Sequence, residues 1–204
     1  MSGFVFHPVT TFFAGLIVAV VALGLLVGGC APPNRSAQAV QAYRDGMAKA
    51  NAAPPAPGSA AEKAALDRFE TFLKGVGSEE FIRANTSKTY SADAYLNDTL
   101  VTRHGAAAIE AYFIKTSHAM KTYQVTIDEV ARTGANYYVR WTMVVSAPAL
   151  SHGEPIESTG ISQVRFDSEG KVAFHQDFWD SGENFFGKLP VAGGVIGFIR
   201  KKLE

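Results

Sequence analysis

The residues best suited to chemistry lie near the end of the sequence, in the stretch KVAFHQDFWD. It alternates as a β-strand does, and side chains two positions apart on a strand share a face. His175, Asp177 and Trp179 are therefore expected on one face, with Val172 and Phe174 on the other. A carboxylate beside an imidazole orients the ring and can form an acid/base pair that moves a proton. The same pair would serve equally well as a buried hydrogen bond at the end of a sheet.

The elements that position this pair come as helices first and strands afterwards. Leu66, Phe69 and Phe72 recur at helical spacing, and Phe81 marks a second, short helix. A third helix is predicted over GAAAIEAYFIKTSHAM, with Tyr112 on its apolar face. Four β-branched and aromatic segments follow, TYQVTIDEVA, NYYVRWTMVVSA, STGISQVRF and KVAFHQDFWD, separated by turn-forming residues. This order predicts an α+β domain with helices packed on one face of an antiparallel sheet.

Several of these segments resemble the SnoaL-like branch of the NTF2-like superfamily. They are YSADAYLND, then GAAAIEAYF, then long strands that end in GKVAFHQDFWD. The resemblance covers roughly residues 65–188 and implies an NTF2-like cone, in which a curved antiparallel sheet wraps on N-terminal helices around an apolar pocket. It also implies dimers, which many members form. The His, one residue, then Asp of the family's last strand corresponds to His175 and Asp177.

The resemblance implies three activities for such a pocket. In the ketosteroid isomerases a general-base Asp lies where Asp98 falls, but the oxyanion hole of a Tyr and a protonated Asp is missing, because Phe69 and Ser162 occupy corresponding places. The polyketide cyclases use an acid/base Asp, for which Asp177 is the nearest match. The limonene epoxide hydrolases use Asp, Arg and Asp, and Arg140 together with Asp177 would reproduce part of that arrangement.

The pocket wall is expected to include Trp141, Trp179, Tyr112 and Arg140 as ligand-binding residues. Asp177, His175 and Asp98 are the candidate catalytic residues. The histidines show no ligand-spaced pair, so no metal site is predicted, and no phosphate loop or other cofactor motif is visible. Nineteen basic residues balance nineteen acidic ones, which argues against nucleic acid as a partner.

The N-terminus predicts a membrane anchor. The run FFAGLIVAVVALGLLVGG is apolar or Gly throughout and is followed at once by Cys30, the only cysteine. Small residues before this cysteine resemble the lipobox of bacterial lipoproteins, which implies lipidation of Cys30 and a domain facing the periplasm or exterior of the cell envelope. The alternative is an uncleaved single-pass anchor with a cytoplasmic domain, favoured by the basic residues that follow the run.

The chain is thus divided into four parts. Residues 1–30 are the signal peptide or anchor, and 31–64 form an Ala/Pro-rich tether that is predicted to be disordered. The SnoaL-like domain spans 65–188, and 189–204 form a basic amphipathic tail that either covers the domain or lies on an anionic membrane.

Two classes of function remain open for this membrane-tethered domain. One is a module that binds a small apolar or amphipathic molecule without catalysis. The other is a cofactor-independent acid/base enzyme, cyclase-like or isomerase-like, that uses Asp177 with His175. Fold alone does not choose between them.

Overall fold

A computed structural model describes residues 35–50, 53–189 and 191–203. By its contacts the chain divides into two units, Met1–Gln41 and Ala42–Glu204, and the domain described below belongs to the second. Among the described residues, no helix is both long and apolar enough to span a bilayer.

Three helices precede the main strands, as the sequence predicts. A serine side chain caps the first two: Ser59 Oγ accepts a hydrogen bond from the Glu62 amide at 3.1 Å, and Ser78 Oγ accepts one from the Phe81 amide at 3.3 Å. These caps satisfy backbone donors that a helix start leaves free. A helix ahead of these three is α1, and the set is α1 (Arg35–Lys49), α2 (Ala60–Gly75), α3 (Glu79–Thr89) and α4 (Ala106–Ala119).

The sheet has six strands in the order β2-β1-β6-β5-β4-β3. The four long strands form an antiparallel meander, which confirms the sequence prediction for that part. The sheet as a whole is mixed, because β1, which the sequence analysis does not predict as a strand, pairs with β6 in parallel. The strands are β1 (Tyr90–Asn97), β2 (Thr102–His104), β3 (Thr122–Thr133), β4 (Asn136–Ser146), β5 (Ile156–Phe166) and β6 (Val172–Trp179).

A β-bulge at the start of β6 changes which residues share a face. Phe166 pairs with Val172 and Arg165 pairs with Phe174, so Ala173 is an extra residue on β6. Val172 consequently joins the main core on the inner face, whereas Phe174 packs in a separate cluster on the outer face. The strict alternation predicted for Val172 and Phe174 is therefore wrong.

The main core lies between the helices and the inner face of the sheet. Its buried members come from α2, α4 and alternate positions of the strands, with aromatic rings at the centre. Phe72 is in edge contact with Tyr90 at 5.3 Å and with Phe113 at 5.4 Å between ring centroids. These contacts fix α2 and α4 against the sheet and leave the space between α4 and β3–β6 for a cavity.

The segment predicted as a disordered tether contains a helix. Within α1, Tyr43 donates a hydrogen bond to Gln163 Oε1 at 2.8 Å and packs its ring edge on Phe174. A Cβ at Gly46 would come within 2.8 Å of the Tyr95 ring, so the helix backbone lies close against the outer face. The small residues of this segment, which led to the prediction of disorder, permit this close approach. The many Ala residues also favour a helix.

The C-terminal segment is a short helix, α5 (Ser181–Asn184), a 3₁₀ turn at Phe186–Lys188 and a final helix, α6 (Ala192–Lys201). Several large apolar side chains of this last helix are exposed, among them Val195 and Phe198. The segment predicted as a basic amphipathic tail therefore contains a helix whose apolar side chains are largely exposed.

Candidate functional site

A cavity of about 230 Å³ lies between α4 and the inner face of β3–β6. Most of its wall is aliphatic or aromatic, and a few polar side chains gather where β5 and β6 meet the loop after β1. The polar and charged members of the described lining are Asp98, Tyr112, Thr116, Tyr123, Ser158, Ser162, His175, Asp177 and Asn184. An apolar cavity with a few convergent polar groups is the usual form of a small-molecule site.

His175 and Asp177 both line this cavity and contact each other. The His175 Nε2 atom lies 2.8 Å from Asp177 Oδ1. The imidazole side chain is 2% exposed and the carboxylate 16% exposed, so the ring is enclosed while the carboxylate reaches open space. The structure therefore shows the same-face pair that strand alternation predicts.

Three further side chains hold this pair in place. The Tyr90 hydroxyl lies 2.9 Å from His175 Nδ1. Ser162 Oγ donates to Asp177 Oδ1 at 2.5 Å and accepts a hydrogen bond from Trp141 Nε1 at 3.0 Å. With Tyr90 donating to Nδ1, the ring keeps its proton on Nε2 and donates it to Asp177. The result is a continuous hydrogen-bonded row across β1, β6, β5 and β4.

The two carboxylate oxygens of Asp177 differ in their hydrogen bonds. Oδ1 accepts from His175 and Ser162, whereas Oδ2 accepts from none of the residues that the structure describes. This second oxygen is therefore available to accept a hydrogen bond or a proton from a molecule in the cavity.

Asp98 lines the same cavity, but its carboxylate is fully engaged. Oδ1 accepts from the amides of Leu100 at 3.0 Å and Val101 at 2.8 Å, and Oδ2 accepts from the Tyr112 hydroxyl. Trp179 Nε1 also donates to the Asp98 carbonyl at 2.7 Å. Asp98 thus closes a turn and positions Tyr112 and Trp179, and it has less capacity than Asp177 to act as a base.

Tyr123 is a polar wall residue that the sequence analysis did not single out. Its side chain lines the cavity from β3, and its hydroxyl makes no hydrogen bond to any described residue. Alternation of Tyr123, Val125 and Ile127 along β3 was the available signal, since these three pack on the core face. The Tyr123 hydroxyl can therefore donate to a bound molecule.

Burial and the charge of Asp177 keep the neighbouring tyrosines protonated. Burial raises the pKa of Tyr90 well above its ordinary value, and the Asp177 carboxylate adds to the rise. The same two causes raise the pKa of Tyr123. For Tyr112, burial comes first and the Asp98 carboxylate second, and both raise the pKa. All three hydroxyls thus remain donors over the ordinary pH range.

Arg140 does not belong to the site. It lies on the outer face of β4, where its guanidinium contacts Asp128 at 3.3 Å and Glu129 at 3.4 Å across β3. Strand alternation puts it opposite Trp141, which faces inward. The prediction that Arg140 binds a ligand, and with it the partial match to an Asp, Arg, Asp arrangement, is wrong. Tyr138 is also exposed on the outer face.

The structure brings together Trp141, Trp179 and Tyr112 in the cavity wall with Asp177, His175 and Asp98. Cys30 lies outside the described residues, so the predicted lipidation stays a prediction.

A known protein family and several solved structures resemble this domain. The family model described as a SnoaL-like domain matches residues 63–175, more than half of the chain. No curated protein sequence matches the chain.

Among solved structures, an LEH-like epoxide hydrolase from M. tuberculosis is 14% identical, with a TM-score of 0.51 over 68% of this chain and 93% of its own. A hypothetical protein with a ketosteroid isomerase-like fold from Catenulispora acidiphila, in complex with trimethylamine, is 16% identical, with a TM-score of 0.52 over 63% and 95%. An NTF2-like protein of unknown function from Burkholderia pseudomallei is 15% identical, with a TM-score of 0.50 over 62% and 98%. At these identities the likeness establishes the fold.

Proposed function

This chain belongs to the SnoaL-like domain family, and from that premise we propose that its cavity binds a small apolar or amphipathic molecule. The observation that carries the proposal is a cavity of about 230 Å³ with a largely apolar wall and one polar side. Asp177 Oδ2 and the Tyr123 hydroxyl supply an acceptor and a donor on that side. A volume of this size exceeds what single ordered waters need.

Tryptophan fluorescence tests the proposal, because both tryptophans of the chain line the cavity. We expect 4-phenylbutanol, an apolar probe with one polar end, to change the emission of Trp141 and Trp179 in a saturable way. Ser158→Phe would fill the cavity from β5 and should abolish the change. Thr159→Phe is the matched control, since the next residue on β5 is exposed on the outer face. An unchanged response in Ser158→Phe would contradict binding in the cavity.

Catalysis is the second candidate function. The specific observation in its favour is the free Oδ2 atom of Asp177, whose other oxygen is fixed by His175 and Ser162. A carboxylate held in this way in an apolar cavity has the geometry of a general base. Asp98, whose two oxygens both accept hydrogen bonds, would position Tyr112 and Trp179 rather than take part in the reaction.

Proton abstraction can be tested without knowing the natural substrate. We expect the protein to speed exchange of the protons next to the carbonyl of 4-phenyl-2-butanone into D₂O, measured by NMR. Asp177→Asn should lower that rate by roughly 10²-fold or more, and Asp128→Asn on the outer face should leave it unchanged. Equal exchange rates in the native protein and in Asp177→Asn would contradict catalysis by Asp177 and leave only the proposed binding function.

We propose in addition that the N-terminus tethers this domain to a membrane, through a lipid on Cys30 or an uncleaved apolar anchor. The support is the run of apolar residues directly before the single cysteine. Association as a homodimer is a further proposal, supported by apolar side chains exposed on the outer face of the sheet, such as Ile161 and Phe178.

A further inference from the structure

Carboxylates predominate among the charged side chains of the described cavity wall. Asp98 and Asp177 are both in its wall, and no Lys or Arg is among the described lining residues. His175 is the remaining basic side chain of the described lining, and its Nε2 atom faces Asp177 Oδ1 rather than Oδ2. Arg103 stacks on the Tyr112 ring at 5.4 Å and is not among the described lining residues.

Both carboxylates accept hydrogen bonds from the protein. Asp98 accepts from two backbone amides and from Tyr112. Asp177 accepts at Oδ1 from His175 and Ser162. For Asp98, which accepts at both oxygens, this pattern suits an ionised carboxylate, because a protonated one would need an acceptor for its own proton. Asp177 keeps Oδ2 open to a donor in the cavity.

Aromatic rings make up much of the remaining wall. Six of them line the cavity: Tyr112, Phe113, Tyr123, Trp141, Trp179 and Phe185. The face of an aromatic ring attracts a cation, and the attraction strengthens where water is excluded. Carboxylates and aromatic faces together therefore favour a positively charged group.

We propose that the occupant of this cavity is a cationic amphiphile, an apolar molecule that carries one amine. Its ammonium group donates to Asp177 Oδ2 and lies among the tryptophan and tyrosine rings, and its apolar body fills the aliphatic end of the cavity. This inference rests on the proposed binding function and adds the charge of the ligand.

Three probes of matched shape test the charge: 4-phenylbutylamine, 4-phenylbutanol and 4-phenylbutyrate, each titrated into the full chain by calorimetry. We expect the amine to bind at least about tenfold tighter than the alcohol, as one charge-assisted hydrogen bond permits, and the carboxylate to bind weakest. If none binds, the proposed binding function fails. If the alcohol or the carboxylate binds as tightly as the amine, only the charge inference is overturned.

Two isosteric variants locate the effect. Asp177→Asn should remove most of the preference for the amine while leaving the affinity for the alcohol within about twofold. Asp128→Asn changes the net charge by the same amount on the outer face, where Asp128 contacts Arg140, and should leave the preference intact. An equal loss in both variants would attribute the preference to overall charge and overturn the assignment to Asp177.

The last helix carries a second, independent inference. Val191, Val195, Phe198 and Ile199 are 82%, 56%, 65% and 51% exposed. Their spacing puts them along one side of α6 and of Val191, the residue before it. An exposed apolar stripe of this length on a folded domain indicates a partner.

The charges around the stripe indicate which partner. Arg200, Lys201 and Lys202 follow it directly, and Lys202 lies 5.7 Å from the centre of the Phe198 ring. Arg200 contacts Asp180 and Glu183 on the domain. Apolar side chains flanked by cations are the pattern of helices that lie in the surface of an anionic bilayer.

We infer that the apolar stripe of α6 docks on the surface of an anionic membrane. Because α5 and Phe185 precede α6, and Asn184 and Phe185 line the cavity, docking would bring that side of the cavity to the lipid surface.

Hydrogen exchange of residues 191–203 tests the docking, with the full chain in nanodiscs of phosphatidylcholine alone or with roughly 30% phosphatidylglycerol. We expect slower amide exchange in the anionic discs, lost in Lys201→Glu/Lys202→Glu and kept in the control Lys115→Glu/Lys121→Glu. Equal exchange in both kinds of disc would overturn the inference. Protection that grows with protein concentration without anionic lipid would instead assign the stripe to a second copy of the chain.

Discussion

The Tyr90 hydroxyl offers a sharp test of the hydrogen-bonded row that positions Asp177. Its side chain is 1% exposed, and its oxygen lies 2.9 Å from His175 Nδ1. Tyr90→Phe removes this donor without changing the shape of the core, and leaves the Nδ1 acceptor buried and unpaired. A buried polar atom that loses its partner costs about 1–3 kcal/mol. We therefore expect the free energy of unfolding to fall by about this amount.

Tyr95→Phe is the matched control. Tyr95 is also buried, at 3% exposed, but its contact with Gln176 Oε1 at 3.4 Å is near the limit of a hydrogen bond. Its other hydrogen-bonding neighbours, Thr102 and Asn97, stay bonded to each other without the hydroxyl. The same chemical change should cost at most about 0.5 kcal/mol there.

Urea denaturation of a soluble fragment that begins at residue 35 measures both variants. The slope against urea should stay constant, so that a change of midpoint reports stability. For a chain of this size, each kcal/mol should also shift Tm by about 2–4 °C. Equal losses in Tyr90→Phe and Tyr95→Phe, or a Tyr90→Phe protein as stable as the native one, would refute the hydrogen-bonded row.

Three further predictions concern other parts of the chain. A hydrogen bond from Tyr137 holds the pKa of Glu62 below its ordinary value of 4.5. The ionised Glu62 therefore stabilises the fold above that pH, and this stabilisation is lost as the pH falls. The difference between the urea midpoints at neutral and acid pH should be smaller in Glu62→Gln than in the native protein. A Cβ at Gly160 would overlap the ring of Trp141, so Gly160→Ala should destabilise the fold by about 1–3 kcal/mol and shift the tryptophan emission, whereas unchanged emission would contradict this packing. Cys30→Ser should leave an uncleaved precursor if the cysteine is lipidated, and mass spectrometry that finds an intact N-terminus with a free Cys30 thiol on the native protein would leave only the uncleaved anchor.

Local patterns predict the part of the fold that local physics determines. The spacing of Phe69 and Phe72 predicts α2, and the alternation of His175 and Asp177 places both on the cavity face, because period and burial follow from each element's own geometry. Gly170 has a φ of +70° in the hairpin before β6, the conformation its loop predicts.

Features that depend on distant contacts escape such patterns. The parallel pairing of β1 with β6 joins residues about 80 positions apart. The segment YSADAYLN has little β-propensity, so its sequence does not predict a strand. The bulge at Ala173 depends on register between strands. The outward position of Arg140, in contrast, follows from alternation once Trp141 is assigned to the cavity wall. The helix α1 is stabilised by contacts of Gly46 and Tyr43 with the outer face of the sheet. Composition does not show these contacts, and it therefore suggests a tether.

The central claim is that the cavity between α4 and the sheet binds a small molecule at Asp177. A crystal structure of the protein with 4-phenylbutylamine tests it most directly. We expect the phenyl ring inside the cavity beside Trp141, with the amine nitrogen within hydrogen-bond distance of Asp177 Oδ2. A probe bound on the outer face of the sheet, with an empty cavity, would contradict it.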